Sequence, residues 1–249
     1  MINRTALVTG AAAGIGRACA IRLAKDGKNV GVLDLNLENA QKVADEITAA
    51  GGNAIALAGS IANRGQVEEA CNKLRAAFGP ITIVVNNAGI SNFIPFEDIT
   101  DDDWKQQFEI NTYGTFVVTQ TVVPDMKEVG WGRVINISSS SAFSGSFEQV
   151  HYSASKGAVV SMTRSLSQAL GKYGITVNNI PPGAVMQTIM SEENKDRFTI
   201  SLENLKRMIP VGRTGVPDDI ASAVSWVASE ETGYVTGQTI NVNGGRYTS

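Results

Sequence analysis

The chain has 249 residues, 43% of them hydrophobic, which matches the size of one large α/β domain and supplies enough apolar surface for a full core. Its net charge of -3 provides no basic footprint for nucleic-acid phosphates or anionic lipid, so neither nucleic acid nor a membrane is an expected partner. Met1, Ile2, Asn3 and Arg4 run straight into an apolar strand and no apolar run approaches spanning length, so neither a secretory signal nor a transmembrane segment is expected and the protein reads as cytoplasmic.

In chain order, short β-branched runs at 6–8, 30–33, 54–57, 81–85, 134–137 and 175–177 alternate with longer amphipathic stretches, the pattern of repeated βαβ units. Each run is almost continuously apolar, as expected for strands covered on both faces. Over 38–50, Ala40, Val43, Ala44 and Ile47 fall at helical spacing, and Gly51 and Gly52 end the helix with residues that tolerate a left-handed cap. A seventh run, 239–242, follows a helix-like stretch over 217–228. The expected fold is a Rossmann-type, doubly wound, seven-stranded parallel sheet with helices on both faces, one domain over 1–249. Residues 186–208 break the rhythm and read as a substrate-binding loop. Cys19 and Cys71 have no second sulfur or histidine at ligand spacing, so they read as buried thiols and no metal is expected.

The stretch from Thr9 to Gly16 joins the first strand to the first helix, where backbone N–H groups and the positive end of a helix face a pyrophosphate. Alone, such a loop is equally a tight turn. Asp34 ends the second strand, positioned either to accept hydrogen bonds from ribose hydroxyls or simply to cap the next helix. Tyr152 and Lys156 lie four apart in a helical stretch, so they share a face, and a nearby ammonium favours the phenolate over the phenol. Ser139 follows the fifth strand, at the sheet edge where such folds bind ligands. His151 points away from Tyr152's face and reads as a packing or pocket-rim residue.

Together these residues resemble the short-chain dehydrogenases/reductases, in their shorter single-domain branch. The resemblance spans the chain and rests on the Thr9–Gly16 loop, Asn86-Asn87-Ala88-Gly89, Asn111, Ser139 thirteen residues before Tyr152, Lys156, Pro182-Gly183, and the segment 236–245. It implies Asn111, Ser139, Tyr152 and Lys156 as the catalytic residues, with Tyr152 as acid/base and Ser139 polarising the carbonyl. It implies NAD as cofactor, held by Gly10, Ala13, Gly14, Ile15, Gly16, Asp34, Ser60, Ile61, Asn87, Ala88, Gly89, Tyr152, Lys156 and the Val185 backbone. It also implies a homotetramer. Two positions depart from the family pattern: Ser60 replaces a usual Asp, and Gln187 replaces a frequent Thr, with Thr188 one step late.

The function this implies is an NAD-dependent interconversion of a secondary alcohol and a ketone on a small-molecule substrate. The alternatives are a 3-oxoacyl-thioester reductase and an NAD-sensing regulator that has lost catalysis. Against the first, Asp34 disfavours a 2′-phosphate, and Gly130 and Tyr173 stand where carrier-linked reductases of the family place basic residues. The intact set of four argues against the second. Phe93, Phe143, Phe147, Met186, Ile189 and Met190 read as an apolar pocket suited to a ring or medium chain, with Glu148, Lys195 and Arg197 as candidate polar contacts.

Overall fold

The computed structural model describes residues 3–188 and 201–247. Its strands are β1 (Thr5–Thr9), β2 (Asn29–Asp34), β3 (Asn53–Ala58), β4 (Ile81–Asn86), β5 (Gly132–Ile137) and β6 (Ile175–Ile180), all parallel, in the order β3-β2-β1-β4-β5-β6. The helices are α1 (Gly14–Lys25), α2 (Leu37–Ala49), α3 (Arg64–Phe78), α4 (Asp101–Phe108), α5 (Thr115–Val129), α6 (Ser141–Ser144), α7 (Val150–Leu170), α8 (Leu202–Arg207) and α9 (Pro217–Val227).

Alternation along the strands builds two cores. Ala6, Val8, Val30, Val32, Ile83 and Val85 pack against α1, α2 and α9, whereas Leu7, Leu33, Val84, Val134 and Val177 pack against α3, α5 and α7. Side-chain caps start the helices where the sequence provides them: Asn36 accepts from Asn39 N–H, Asn63 from Gln66 N–H, and Thr100 and Asp103 form a reciprocal pair. Cys19 and Cys71 are buried and free, and burial pushes their thiols up to about 12 and about 11.

A buried polar chain ties the centre of the sheet to the helices. The Asn86 amide donates to Thr119 Oγ1 (2.9 Å) and to Asn136 Oδ1 (2.8 Å), and Asn136 in turn donates to Thr163 Oγ1 (2.9 Å). Asn86 and Asn136 are direct register partners across β4 and β5.

The expected seventh strand is the one correction to the fold. Residues 239–242 run parallel to β6 in constant register but form only two isolated bridges, Asn179 with Thr239 and Pro182 with Val242. The position between them falls to Pro181, which has no N–H to donate, so the ladder fails there. The sheet therefore has six strands, and the last segment is pinned by single contacts, among them Ile240 N–H to Asn179 O (2.8 Å) and Gly183 N–H to Val242 O (3.1 Å). No helix among the described residues is long and apolar enough to cross a membrane.

Candidate active site

All the expected site residues lie at the carboxyl edge of the sheet or just beyond it. β1 and β4 are neighbours at the centre, and the chain departs from them in opposite directions, which opens a crevice between the turns that follow them. After β1, Gly10 (φ 60°) and Gly14 (φ 53°) adopt the left-handed conformation, and Ala13 in extended conformation leads into α1. A Cβ at Gly16 would stand 2.1 Å from the Gly10 carbonyl oxygen and 2.6 Å from Asn87 Nδ2, so only glycine permits this helix start to close on the loop.

Asp34 braces the same loop from β2. One carboxylate oxygen accepts from Ala12 N–H (3.0 Å) and the other from Asn36 N–H (3.1 Å). The turn-capping role is therefore real, and each oxygen keeps a lone pair for a further donor. Arg17, one step beyond Gly16, is engaged by the Glu46 carboxylate at 2.6 Å. Ser60 uses its hydroxyl to accept from Ala62 N–H (3.3 Å), while its own N–H goes to Gln66 Oε1 (2.7 Å). Ile61 is buried in the core against Gly114 rather than open on the surface.

After β4, Thr9 Oγ1 accepts from the N–H groups of both Asn87 and Ala88 (3.0 Å each), and the Asn87 amide donates to the carbonyls of Thr9 and Gly10 (3.0 and 3.1 Å). The turn after β4 is thus welded to the glycine loop. A side chain at Gly89 would meet Asn111 Oδ1 at 2.8 Å and Lys156 Nζ at 3.1 Å. Asn111 lies within a π-helical turn, Glu109–Gly114, that interrupts the helical run between α4 and α5. Fully buried, it donates to Ile90 O and Ser155 Oγ (3.0 Å each) and accepts from Ile90 N–H (2.9 Å).

Tyr152 occupies the first turn of α7 and Lys156 the next, on one face as their spacing requires. Tyr152 is 7% exposed. Burial raises its phenol above the usual value, and the Ser139 hydroxyl beside it works in the opposite direction. Ser139 Oγ also accepts from the Ser141 hydroxyl (2.9 Å). Lys156 Nζ donates to the Ile137 carbonyl (3.1 Å), and burial brings its ammonium down to about 8. His151 is fully buried, its ring held toward the neutral form by that burial, with neither ring nitrogen hydrogen-bonded among the described residues. It packs, as its place on the helix predicts.

These groups open into a cleft of about 630 Å³. Ile15, Asn87, Gly89, Ser139, Tyr152, Lys156 and Val185 line it, together with Phe93, Phe147 and Met186. Val185 bridges Gly215 through its neighbours, Gly215 N–H to Ala184 O (2.9 Å) and Met186 N–H to Gly215 O (3.0 Å). That pattern turns Val185's own N–H and C=O away from Gly215. Glu148 (φ 56°) and Gln187 (φ 63°) are the only non-glycine residues with positive φ among those described, and both flank the cleft. Of the loop 186–208, Ile189, Met190, Lys195 and Arg197 lie outside the described residues.

Some site residues escape sequence reasoning. Ser155 positions Asn111, and the Ile137 carbonyl holds Lys156, both through contacts with no local signature. Arg246 and Tyr247 also line the cleft, because Gly244 (φ 66°) and Gly245 (φ 82°) turn the chain back over it. That glycine pair is the signal from which the reversal is legible.

With this geometry in place, comparison with known proteins identifies the family. Residues 4–198 match the family described as short chain dehydrogenase. The chain belongs to that family. As a short chain dehydrogenase it is similar to a (2S)-[(R)-hydroxy(phenyl)methyl]succinyl-CoA dehydrogenase subunit of Thauera aromatica, 37% identical over 246 residues that cover 98% of this chain and 96% of the relative. It is 35% identical to the acetoacetyl-CoA reductase of Cupriavidus necator, covering 98% of both chains. It is also 35% identical to a 3-oxoacyl-[acyl-carrier-protein] reductase of Staphylococcus epidermidis, covering 99% of this chain and 100% of the relative.

Proposed function

We propose that this oxidoreductase is NAD-dependent and interconverts a secondary alcohol and its ketone, as a cytoplasmic homotetramer whose residues 1–249 form one dinucleotide-binding domain. The observation that carries the reading is the convergence of Ser139, Tyr152 and Lys156 on one cleft, beside a glycine loop that closes on α1 only because Gly16 has no Cβ. The cradle residues Gly10, Ala13, Gly14, Ile15 and Gly16 suit a pyrophosphate, Asp34 the adenosine ribose, and Ser60 and Ile61 the edge of the adenine site. Asn87, Ala88, Gly89, Tyr152 and Lys156 suit the second ribose, and the Val185 main chain suits a carboxamide. The nicotinamide ring, when bound, supplies the hydride acceptor or donor.

The protein's own part is the proton. In alcohol oxidation Tyr152 accepts the hydroxyl proton as the C–H bond breaks, and in reduction it returns that proton to the carbonyl oxygen. Ser139 donates a hydrogen bond to the same oxygen and stabilises the charge that develops there. Lys156, held by Ile137, favours the Tyr152 phenolate electrostatically, as does the N-terminal end of α7. Asn111, tied to Ile90 and Ser155, fixes the π turn beside Gly89 and Lys156.

A second reading narrows the substrate to a 3-oxoacyl thioester, and what favours it is the named activity of the three relatives above. Gly130, a left-handed cap (φ 70°), leaves no basic side chain there, but Lys127 and Lys172 lie 4.5 and 5.1 Å from the Tyr173 ring centroid and make that surface cationic. The deciding experiment is nicotinamide reduction measured over cyclic alcohols, hydroxysteroids, aryl ethanols and 3-hydroxyacyl thioesters of coenzyme A and of acyl carrier protein, with NAD and NADP in parallel. Secondary-alcohol turnover supports the reaction class and the best substrate chooses between the readings. Absence of turnover on every member with both cofactors would overturn both.

A further inference from the structure

Within the cleft, the ionisable groups are graded by depth. Tyr152 and Lys156 stand at the buried end, whereas Arg246 lines the same cleft from its exposed rim. The tail that carries Arg246 is built in place rather than loosely attached. The Tyr247 ring stacks on Phe143 with centroids 5.7 Å apart, its hydroxyl donates to Asn241 Oδ1 (3.1 Å), and the Asn243 amide donates to the Tyr247 carbonyl (2.9 Å). Arg246 N–H is itself bonded back to Asn243 O (3.3 Å).

The Arg246 guanidinium makes no ion pair with any described residue, although the Glu148 carboxylate lines the same cleft. Among the described residues that line the cleft, Arg246 and Lys156 are the only cations, and Lys156 is committed at the bottom. A substrate whose carbinol carbon reaches Tyr152 and that extends to the rim meets there a planar, five-donor group that matches an anionic oxygen pair.

We propose that Arg246 is a specificity-determining residue that reads an anionic group, carboxylate or phosphate, at the end of the substrate remote from the reacting hydroxyl. This rests on the dehydrogenase reading of the same cleft and adds the charge of the substrate to it. Arg246 positions the substrate and takes no part in the proton chemistry.

The test compares 3-hydroxybutyrate, its neutral methyl ester and 3-hydroxybutyryl-coenzyme A in wild type, Arg246→Ala, Arg246→Lys and Arg246→Glu. Wild type is expected to prefer an anionic probe over the ester in kcat/KM. Arg246→Ala should reduce that ratio by about tenfold or more, chiefly through KM, as for loss of a charge-assisted hydrogen bond. Arg246→Lys should restore part of the ratio and Arg246→Glu should invert it. A preference that is lost in Arg246→Ala and is carried by 3-hydroxybutyrate identifies a carboxylate, and one so lost that is carried only by the thioester identifies its phosphates. Wild-type preference for the methyl ester, or a ratio unchanged in Arg246→Ala, overturns the assignment of Arg246 while the dehydrogenase reading stands. Failure of wild type on all three probes and on neutral secondary alcohols overturns both.

Discussion

The Lys156 ammonium hangs from the Ile137 carbonyl at 3.1 Å, while its distance to the centroid of the Tyr152 ring is 6.0 Å. It is thus held by the sheet and acts on Tyr152 through space. Burial lowers Lys156 to about 8 from 10.5, so between those values the unfolded chain binds the proton and the folded chain does not. Stability therefore gains with rising pH across that window, and at neutral pH the charged Lys156 is a cost. Lys156→Met should remove that gain, so its stability relative to wild type should be about 1–3 kcal/mol better at pH 7 than at pH 10. Urea unfolding of both proteins at the two pH values checks this, and a difference independent of pH would count against it.

Tyr152→Phe removes one oxygen and keeps the ring. Turnover should fall by about 10²–10⁴-fold with NAD affinity nearly unchanged. Lys156→Ala should weaken both. Cofactor titration by fluorescence and steady-state rates separate the two patterns. In wild type the alcohol-oxidation rate should rise with pH through one apparent ionisation that belongs to the Tyr152–Lys156 pair.

On the proposed reading, Asp34 and the Arg17–Glu46 pair govern the cofactor preference. With a carboxylate at the ribose position and Arg17 engaged elsewhere, kcat/KM for NAD should exceed that for NADP by at least about tenfold. Asp34→Ala combined with Glu46→Gln should remove the repulsion, release Arg17 and shift the ratio toward NADP. Equal use of both cofactors by wild type would refute the assignment.

At the opposite edge of the sheet, Arg4 and Arg133 place their guanidinium carbons 3.8 and 4.2 Å from the Trp131 ring centroid, and Arg4 bonds Glu230 at 2.9 Å. Both arginines are buried, and Arg133 is shifted down by burial, with Glu230 acting against that shift and Arg4 adding to it. Glu230→Gln leaves two buried like charges with less compensation and should cost about 1–3 kcal/mol in denaturant unfolding without changing kcat.

Trp104, Tyr113 and Phe116 are all more than a third exposed on α4, the π turn and α5, an apolar surface consistent with a self-complementary contact. Light scattering at micromolar concentration should give a mass near four subunits, and Trp104→Glu with Phe116→Glu should lower it. A stable wild-type monomer would exclude the tetramer.

Much of this architecture was legible because its determinants are local. Apolar runs of strand length, the bare glycine loop and the four-residue spacing of Tyr152 and Lys156 each specify geometry within a few residues. What escaped depends on partners distant in sequence. The apolar pattern at 239–242 says strand, but whether a ladder forms is decided by Pro181 on the neighbouring segment. Asp34 reads as a turn or cap residue by itself and as a ribose ligand beside the glycine loop, and that it also braces the loop through Ala12 N–H has no local signature. Arg246 and Tyr247 resemble an exposed tail until two left-handed glycines return them to the cleft.

The amide chain from Thr119 through Asn86 and Asn136 to Thr163 has a further consequence for assembly. Between β4 and β5, the paired Val85 and Ile135 would each meet an apolar partner nearly as well after a slide of two residues, since the same faces still meet. Such a slip would set Asn136 against Val84 and strand buried amides without partners, at about 1–3 kcal/mol for each. The asparagine pair thus acts as an alignment mark at the carboxyl end of the seam. It is the mark that sets the turn bearing Asn87 to Gly89 level with the one bearing Ser139, so the relative height of the two turns that line the cleft is fixed from within the core.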